Sequence, residues 1–308
     1  MSGPSAALEA GSHDKSHLRA RRCAVDRLPL ERLVDLNRYP LDQPGSSAHR
    51  VAVNQAKEQL TSVGAAELEG FLSPTGVLAL VADAEELAHR AHVSSGVGTA
   101  YLEVPDFALP EGHPRLVWGD YSLGAVAYDL MPYSSPLRQL YEWGPLTDFI
   151  AAILGRGPIY PYADPFGALN LAVMCDGDQL QWHFDQTDFV VSLAIQSAER
   201  GGDFEVVPHI RSADDERYQE VGSVLAGGRS KVMTLPMRPG TLLIFEGRHS
   251  LHRVSPIVGP RPRHVGLLAY DTTPGTVGTE LLRKARYGRT EPLPEPPDRW
   301  TDLDAAAQ

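Results

Sequence analysis

Apolar residues recur along this chain in two different rhythms. From about residue 25 to 156 the spacing is mainly helical. Ser73-Pro74 supplies a capping serine and a proline for a first turn. Val77, Leu80, Val81, Ala84, Leu87 and Ala88 follow at intervals that gather on one helix face. Ser135-Pro136 opens a second helix through Leu137, Leu140 and Tyr141. Pro145 begins a third, with Phe149, Ile150 and Ile153 as its apolar side and Gly155 as its stop. The stretch "HPRLVWGDYSLGAVAYDLMPYSS" between these helices shows no clear period and is rich in aromatics, so an irregular lid or pocket wall is expected there.

From about 157 to 275 the rhythm shortens. Candidate strands are 168–175, 179–184, 188–196, 203–207, 231–235, 241–246, 250–254 and 263–270, separated by turn residues such as Asp176-Gly177, Gly201-Gly202 and Pro239-Gly240. Eight short strands at this spacing predict a jelly roll, with two facing antiparallel sheets. A helix over about 212–226 interrupts them, with Asp214, Asp215 and Glu216 near its start. Helices first and strands afterwards predict an α+β fold, its N-terminal helices packed on one sheet. Residues 1–24 and 287–308 are poor in apolar side chains and are expected to be flexible tails flanking a single domain, 25–286. Within that domain, 25–156 forms the helical part and lid, and 157–275 the jelly-roll core.

Composition narrows the function. The chain has 308 residues, 28 basic against 39 acidic, and a net charge of -11. Such a surface repels phosphate backbones, so no nucleic acid partner is expected. Two cysteines, Cys23 and Cys175, cannot make a disulfide framework or a zinc knuckle. No apolar run approaches the roughly 18 residues of a membrane span. The first residues also lack the apolar stretch of a secretory signal. The expectation is a cytoplasmic protein with no membrane partner; oligomeric state stays open, a homodimer included.

Candidate chemistry begins at "QLQWHFDQTDFVVSLAIQ", residues 179–196, which sets His183 and Asp185 at the mouth of an apolar strand. A polar turn would explain the pair, and His-x-Asp is common by chance. A third ligand changes its meaning. His252, in "HRVSP", would complete a two-histidine, one-carboxylate set, which occupies one face of a six-coordinate iron(II) and leaves three positions open. His249 competes for the role, and three residues apart on a strand the two should point to opposite faces. Arg261 and Arg263 lie just downstream. An arginine aimed into a barrel is costly unless a carboxylate meets it, and its planar fork suits a small diacid. Arg261, between Pro260 and Pro262, suits a solvated loop; Arg263 leads directly into a strand.

In order, "WHFDQ", "GGDFEVVP", "PGTLLIF", "HRVSP" and the trailing arginine resemble the iron(II)- and 2-oxoglutarate-dependent dioxygenases over roughly residues 165–272. Within them the chain is similar to the bacterial free-amino-acid halogenases and hydroxylases, through "LNRYPLD", "LNLAVMCDGDQLQWHFD" and "AYDTTPG". The resemblance implies a double-stranded β-helix, which is a jelly roll. It implies iron bound by His183, Asp185 and His252, with O2 and 2-oxoglutarate as cosubstrates. Arg263, or Arg261 if the register shifts, would hold the distal carboxylate of 2-oxoglutarate, and Asn170 would contact cosubstrate or substrate. Halogenases of this group carry a small residue where Asp185 stands, so the carboxylate implies hydroxylation of a small molecule, a free amino acid or an amino-acid-derived biosynthetic intermediate. Asp120, Tyr121 and Tyr128, on the irregular segment, are candidates to grip that substrate. Two alternatives stand beside this reading: the same core acting on a protein side chain or carrier-bound substrate, and a jelly roll that binds a ligand without catalysis.

Overall fold

The computed structural model describes residues 28–293. Its helical part contains α1 (Ser47–Val63), α2 (Pro74–Ala88), α3 (Pro136–Tyr141) and α4 (Gly144–Leu154). Threaded among them are β1 (Ala65–Leu68), β2 (His92–Thr99) and β3 (Trp118–Val126). Ser46, Ser73 and Ser135 each accept a first-turn N–H, from His49, Gly76 and Arg138, at 3.1, 2.9 and 3.2 Å. α4 ends at Gly155, whose φ of 63° is the left-handed conformation that stops a helix. Asp83, buried on α2, accepts hydrogen bonds from Ser135 Oγ (2.6 Å) and Leu137 N (3.2 Å), tying α2 to the head of α3. Burial pushes its carboxyl up to about 7.

The expected irregular wall is in part a strand. Residues 123–126 of β3 are buried without alternation, because both faces are covered, and this erases the period of two that marks a half-exposed strand. α1 was not singled out by spacing because its buried face is thin: Ala52, Val53, Ala56 and Leu60.

The jelly-roll part contains β4 (Tyr160–Pro161), β5 (Leu169–Met174), β6 (Gln179–His183), β7 (Val190–Gln196), β8 (Arg200–Gly201), β9 (Phe204–Val207) and α5 (Tyr218–Leu225). It continues with β10 (Met233–Leu235), β11 (Leu242–Phe245), β12 (Leu251–Val254), β13 (Ile257–Val258), β14 (Arg263–Leu268) and β15 (Tyr270–Asp271), and α6 (Glu280–Tyr287) follows. All eight anticipated strands are present. α5 is shorter than its expected span: Arg217 sits at φ 45°, and a right-handed helix cannot continue through it to Asp214, Asp215 and Glu216.

Eleven strands form one antiparallel sheet in the order β1-β11-β7-β14-β5-β3-β6-β12-β9-β10, with β2 paired to β3. β3 is the corner. Its end, Gly124–Val126, pairs with β5, while Tyr121 and Ser122 pair with β6. The two arms fold face to face, so that Phe204 of β9 and Phe245 of β11 meet with ring centroids 5.1 Å apart. Alternation on the larger arm sorts its side chains between two cores. Leu169, Leu171, Leu193, Ile195, Leu242 and Ile244 face the helices; Ala172, Met174, Ala194, Leu243 and Phe245 face the other arm. Each large apolar side chain so buried contributes roughly 1.5–3 kcal/mol. The helix layer therefore fixes the arm whose opposite face builds the site.

After β15 the chain returns over the mouth of the jelly roll. Arg283 donates to Asp164 Oδ2 at 3.1 and 3.0 Å. Arg289 donates to both oxygens of Asp129, at 2.7 and 2.5 Å. Asp129 also accepts Leu293 N (2.9 Å). Both carboxylates are buried, at 2% (Asp164) and 4% (Asp129) exposure. Residues 287–293, expected within a loose tail, are thus pinned by charge-assisted hydrogen bonds. The rest of both tail expectations, 1–24 and 294–308, lies outside the described residues. Among the described residues no helix is long and apolar enough to cross a membrane.

Candidate metal centre

β6 and β12 bring the two histidines together. His183 lies directly opposite His252, yet the next pair is Leu180 with Val254. The extra residue is a bulge. On a regular strand Leu180 and His183, three apart, would point to opposite faces; the bulge turns both into the space between the arms. The imidazole centroids are 4.2 Å apart. His183 Nδ1 lies 2.8 Å from Gln181 O, and His252 Nδ1 2.9 Å from Ser250 O. Each Nδ1 can only donate to its carbonyl, so the neutral ring keeps its lone pair on Nε2. Both Nε2 atoms face Asp185, at 3.9 Å from Oδ1 for His183 and 3.2 Å from Oδ2 for His252.

Asp185 is held by its own backbone, whose N–H donates to Gly247 O at 3.1 Å. A Cβ at residue 247 would fall 2.3 Å from Asp185 Oδ2, so the carboxylate occupies space that only glycine leaves open. Oδ2 is buried without a hydrogen-bond partner, and His252 Nε2 beside it carries a lone pair in the tautomer that donates from Nδ1. One ligand atom from each of His183, Asp185 and His252 lies within 4.8 Å of the others. Two imidazoles locked with Nε2 inward and an unsatisfied buried carboxylate oxygen fit an iron(II) ion bound through one face. Electrostatics agree. Burial, reinforced by the neighbouring His252, holds the His183 pKa down to about 4. Burial would raise Asp185, but His252 beside it outweighs this and brings it to about 2. Burial opposes a charge on His252 too, and the Asp185 carboxylate overcomes it, raising that pKa. A cation bound at the carboxylate would displace that proton.

The cavity around the triad is mostly apolar, with Leu123, Met174, Phe204 and Phe245 in its wall. Arg263 enters it from the start of β14 at 8% exposure. Its Nη1 lies 3.9 Å from Met174 Sδ, and burial lowers its pKa to about 10 against the opposing charge of Asp203. Among the described residues no carboxylate pairs with it. Arg261, the alternative, donates to Ala198 O (3.1 Å) and does not line the cavity. His249 lies in the turn before β12, outside the cluster.

The other expected residues divide. Asn170 is buried on the face of β5 that carries Ala172 and Met174, is not among the residues lining the cavity, and its Oδ1 accepts from Arg286 Nη2 at 3.4 Å. Tyr121 packs against the core between the arms. Asp120 is exposed, and alternation along β3 turns it away from the face that carries Tyr121. Tyr128 follows β3 and joins the helical core; its hydroxyl donates to Glu142, and Arg138 stacks 4.5 Å over its ring. None of Asp120, Tyr121 and Tyr128 is among the residues lining the cavity, because the segment expected to be a lid is a strand and a short turn. Spacing alone missed Arg286, which reaches the cavity from α6. Its signal was present in the arginines at 283, 286 and 289, which recur at helical spacing after the last strand.

A family model described as halogenase D matches residues 120–278, just over half of the 308-residue chain. No curated protein matches. Among solved structures, the non-heme alpha-ketoglutarate-dependent epimerase SnoN from nogalamycin biosynthesis is 15% identical, with a TM-score of 0.52 over 81% of this chain and 96% of its own. SnoN in complex with Fe3+, alpha-ketoglutarate and nogalamycin RO is 16% identical, with a TM-score of 0.52 over 80% of this chain and 95% of its own. AviO1 from Streptomyces viridochromogenes Tue57 is 19% identical, with a TM-score of 0.49 over 72% of this chain and 95% of its own. At these identities the SnoN likeness is one of fold.

Proposed function

The chain belongs to the halogenase D family, and on that premise we propose that it is an iron(II)- and 2-oxoglutarate-dependent oxygenase. Its reaction is hydroxylation of an unactivated C–H bond in a small molecule, a free amino acid or an intermediate derived from one. The observation that carries this reading is Asp185. In the halogenases the chain resembles, a small residue stands at this position; here a carboxylate fills it, with an unsatisfied oxygen turned toward two inward Nε2 atoms.

His183, Asp185 and His252 would hold the metal. Arg263 would take the distal carboxylate of 2-oxoglutarate through its planar fork, which opens into a largely apolar wall. Bound there, the pair would supply oxygen activation coupled to oxidative decarboxylation of 2-oxoglutarate to succinate and CO2, one oxygen atom of O2 going to succinate and the other to the substrate. The protein's own contribution is position and dryness. The locked imidazole tautomers and the Gly247 clearance fix the ligand set, while Leu123, Phe204 and Phe245 exclude water from the reacting centre. Asp185 keeps the halide position filled, so oxygen is the atom delivered.

The test is a screen of free amino acids under air with iron(II) and 2-oxoglutarate, read by succinate release and product mass with and without high chloride. Succinate released with one added oxygen in the product, whatever the chloride, is the expected result. A chlorinated product from the unaltered protein would overturn the hydroxylase reading and remove Asp185 from the ligand set.

A further inference from the structure

Of the three ligands, two are carried by strands and one is not. His183 is on β6 and His252 on β12, where ladder hydrogen bonds fix their backbones. Asp185 lies in residues 184–189, which run from β6 to β7 without helix or strand. Packing and individual hydrogen bonds must therefore hold this carboxylate in place. Upstream, Phe184 is fully buried, lies 5.2 Å from the Tyr101 ring between centroids, and donates its N–H to Ala100 O at 2.8 Å. Downstream the holding group is a pair of charges. Arg248 donates through Nε to Asp188 Oδ1 at 2.6 Å and through Nη2 to Gln186 O. With the bond from Asp185 N–H to Gly247 O, these close a ring between residues 185–188 and the turn that leads to His252.

An exposed ion pair is ordinarily worth little, and the exception is a forked pair within a network of charges. Asp188 and Arg248 are about half exposed, at 55% and 43%, but each is tied further. Asp188 Oδ2 accepts from Arg156 Nη1 at 3.2 Å, and Arg156, just beyond α4, also donates to Glu246 Oε1 at 3.0 Å. Arg211 Nε donates to Arg248 O at 2.7 Å. Helix layer, ligand loop and turn are thus joined by one chain of charges. We propose that Arg248 and Asp188 are positioning residues, whose clasp sets the backbone of Asp185 so that its carboxylate faces the two Nε2 atoms before a metal arrives. The inference rests on the oxygenase reading above and adds to it a device outside the cavity. Neither residue lines the cavity or offers an atom to the triad. The two main-chain bonds straddle Asp185, one on its own N–H and one on the carbonyl of the next residue. A ligand held this way binds without first being ordered, which is where the affinity comes from.

The test uses the full chain and divalent metals alone. Iron(II) affinity is measured anaerobically against a competing chelator, with denaturant unfolding of the apoprotein alongside. Arg248→Ala and the isosteric Asp188→Asn should each weaken iron(II) by about 10-fold, the scale of losses outside the ligand set, while the unfolding midpoint scarcely moves. Arg248→Lys, which keeps the charge without the fork, should recover part of the loss. In the cobalt(II)-loaded protein, Arg248→Ala should shift the visible absorption of the bound ion toward that of Asp185→Ala. Copper(II), the tightest binder of the divalent series, serves for the comparison between backgrounds, since there two histidines alone must hold the ion. Arg248→Ala should weaken copper(II) in the otherwise unaltered protein and add no further loss to Asp185→Ala, because the group it positions is gone. Full iron(II) affinity in Arg248→Ala would overturn the inference. So would an equal loss of copper(II) in the Asp185→Ala background, which would show general loosening of the fold. Failure of the unaltered protein to bind iron(II) at all would instead remove the oxygenase reading beneath it.

Discussion

Replacing Gly247 by alanine tests the ligand geometry without touching a ligand. The new methyl would arrive 2.3 Å from Asp185 Oδ2 and 2.9 Å from its Cβ, where contacts under 3.0 Å essentially do not occur. The neighbours cannot both stay. Residue 247 has no left-handed φ to forbid a side chain, so the conflict is steric and falls on Asp185. Relief needs a shift of the carboxylate by about 1 Å, several times the roughly 0.2 Å tolerance of a metal–ligand distance. Overpacking of this kind costs about 1–3 kcal/mol in stability. Disturbing a group that orients a ligand weakens metal binding by about 10–100-fold. The assay is anaerobic iron(II) titration against a competing chelator, with denaturant unfolding of the apoprotein alongside. Asp185→Ala should lose iron affinity without the steric cost. The double variant Gly247→Ala/Asp185→Ala should bind iron no worse than Asp185→Ala and recover most of the lost stability, because the clashing carboxylate is gone. If Gly247→Ala alone binds iron as the unaltered protein does, Asp185 is not a ligand held by this clearance.

His252→Ala should abolish iron binding and turnover with folding largely retained, while His249→Ala does neither; the reverse outcome in the chelator assay would transfer the ligand role to His249. Asp83 predicts a pH effect on stability. Its folded pKa is about 7 against 3.8 in the unfolded chain, so its contribution is fully present below about pH 4 and is lost as pH rises through about 7. The difference amounts to roughly 4 kcal/mol at full ionisation. Asp83→Asn mimics the protonated carboxyl and should flatten that pH dependence, narrowing the gap between unfolding midpoints at about pH 5 and about pH 8. An unchanged gap in Asp83→Asn would show that Asp83 does not titrate in this range.

Legibility in the sequence followed local physics. Serine–proline caps at 73–74 and 135–136 and the stop at Gly155 mark their helices within a residue, since they act through the first and last turns alone. The eight jelly-roll strands were visible because turn residues bound them. β3 was not, because burial on both faces removed its alternation and because its place as the corner depends on β5 and β6, distant in the chain. His183, Asp185 and Arg263 stood out as polar residues beside apolar runs. The bulge that aims His183, the space at Gly247 and the entry of Arg286 arise from pairings across the fold, and no local window contains them.

That dependence on distant pairings has a consequence for how the enzyme is made. During synthesis the strand bearing His183 leaves the ribosome first and waits for β12 to supply its partner histidine. The last side chain to enter the cavity wall, Arg286, emerges after every ligand and after the strand that bears Arg263. A nascent chain halted anywhere before His252 carries an incomplete ligand set. The full set of three becomes available for iron only once β12 has been made. The helix that brings Arg286 to the cavity is the last of these parts to be made.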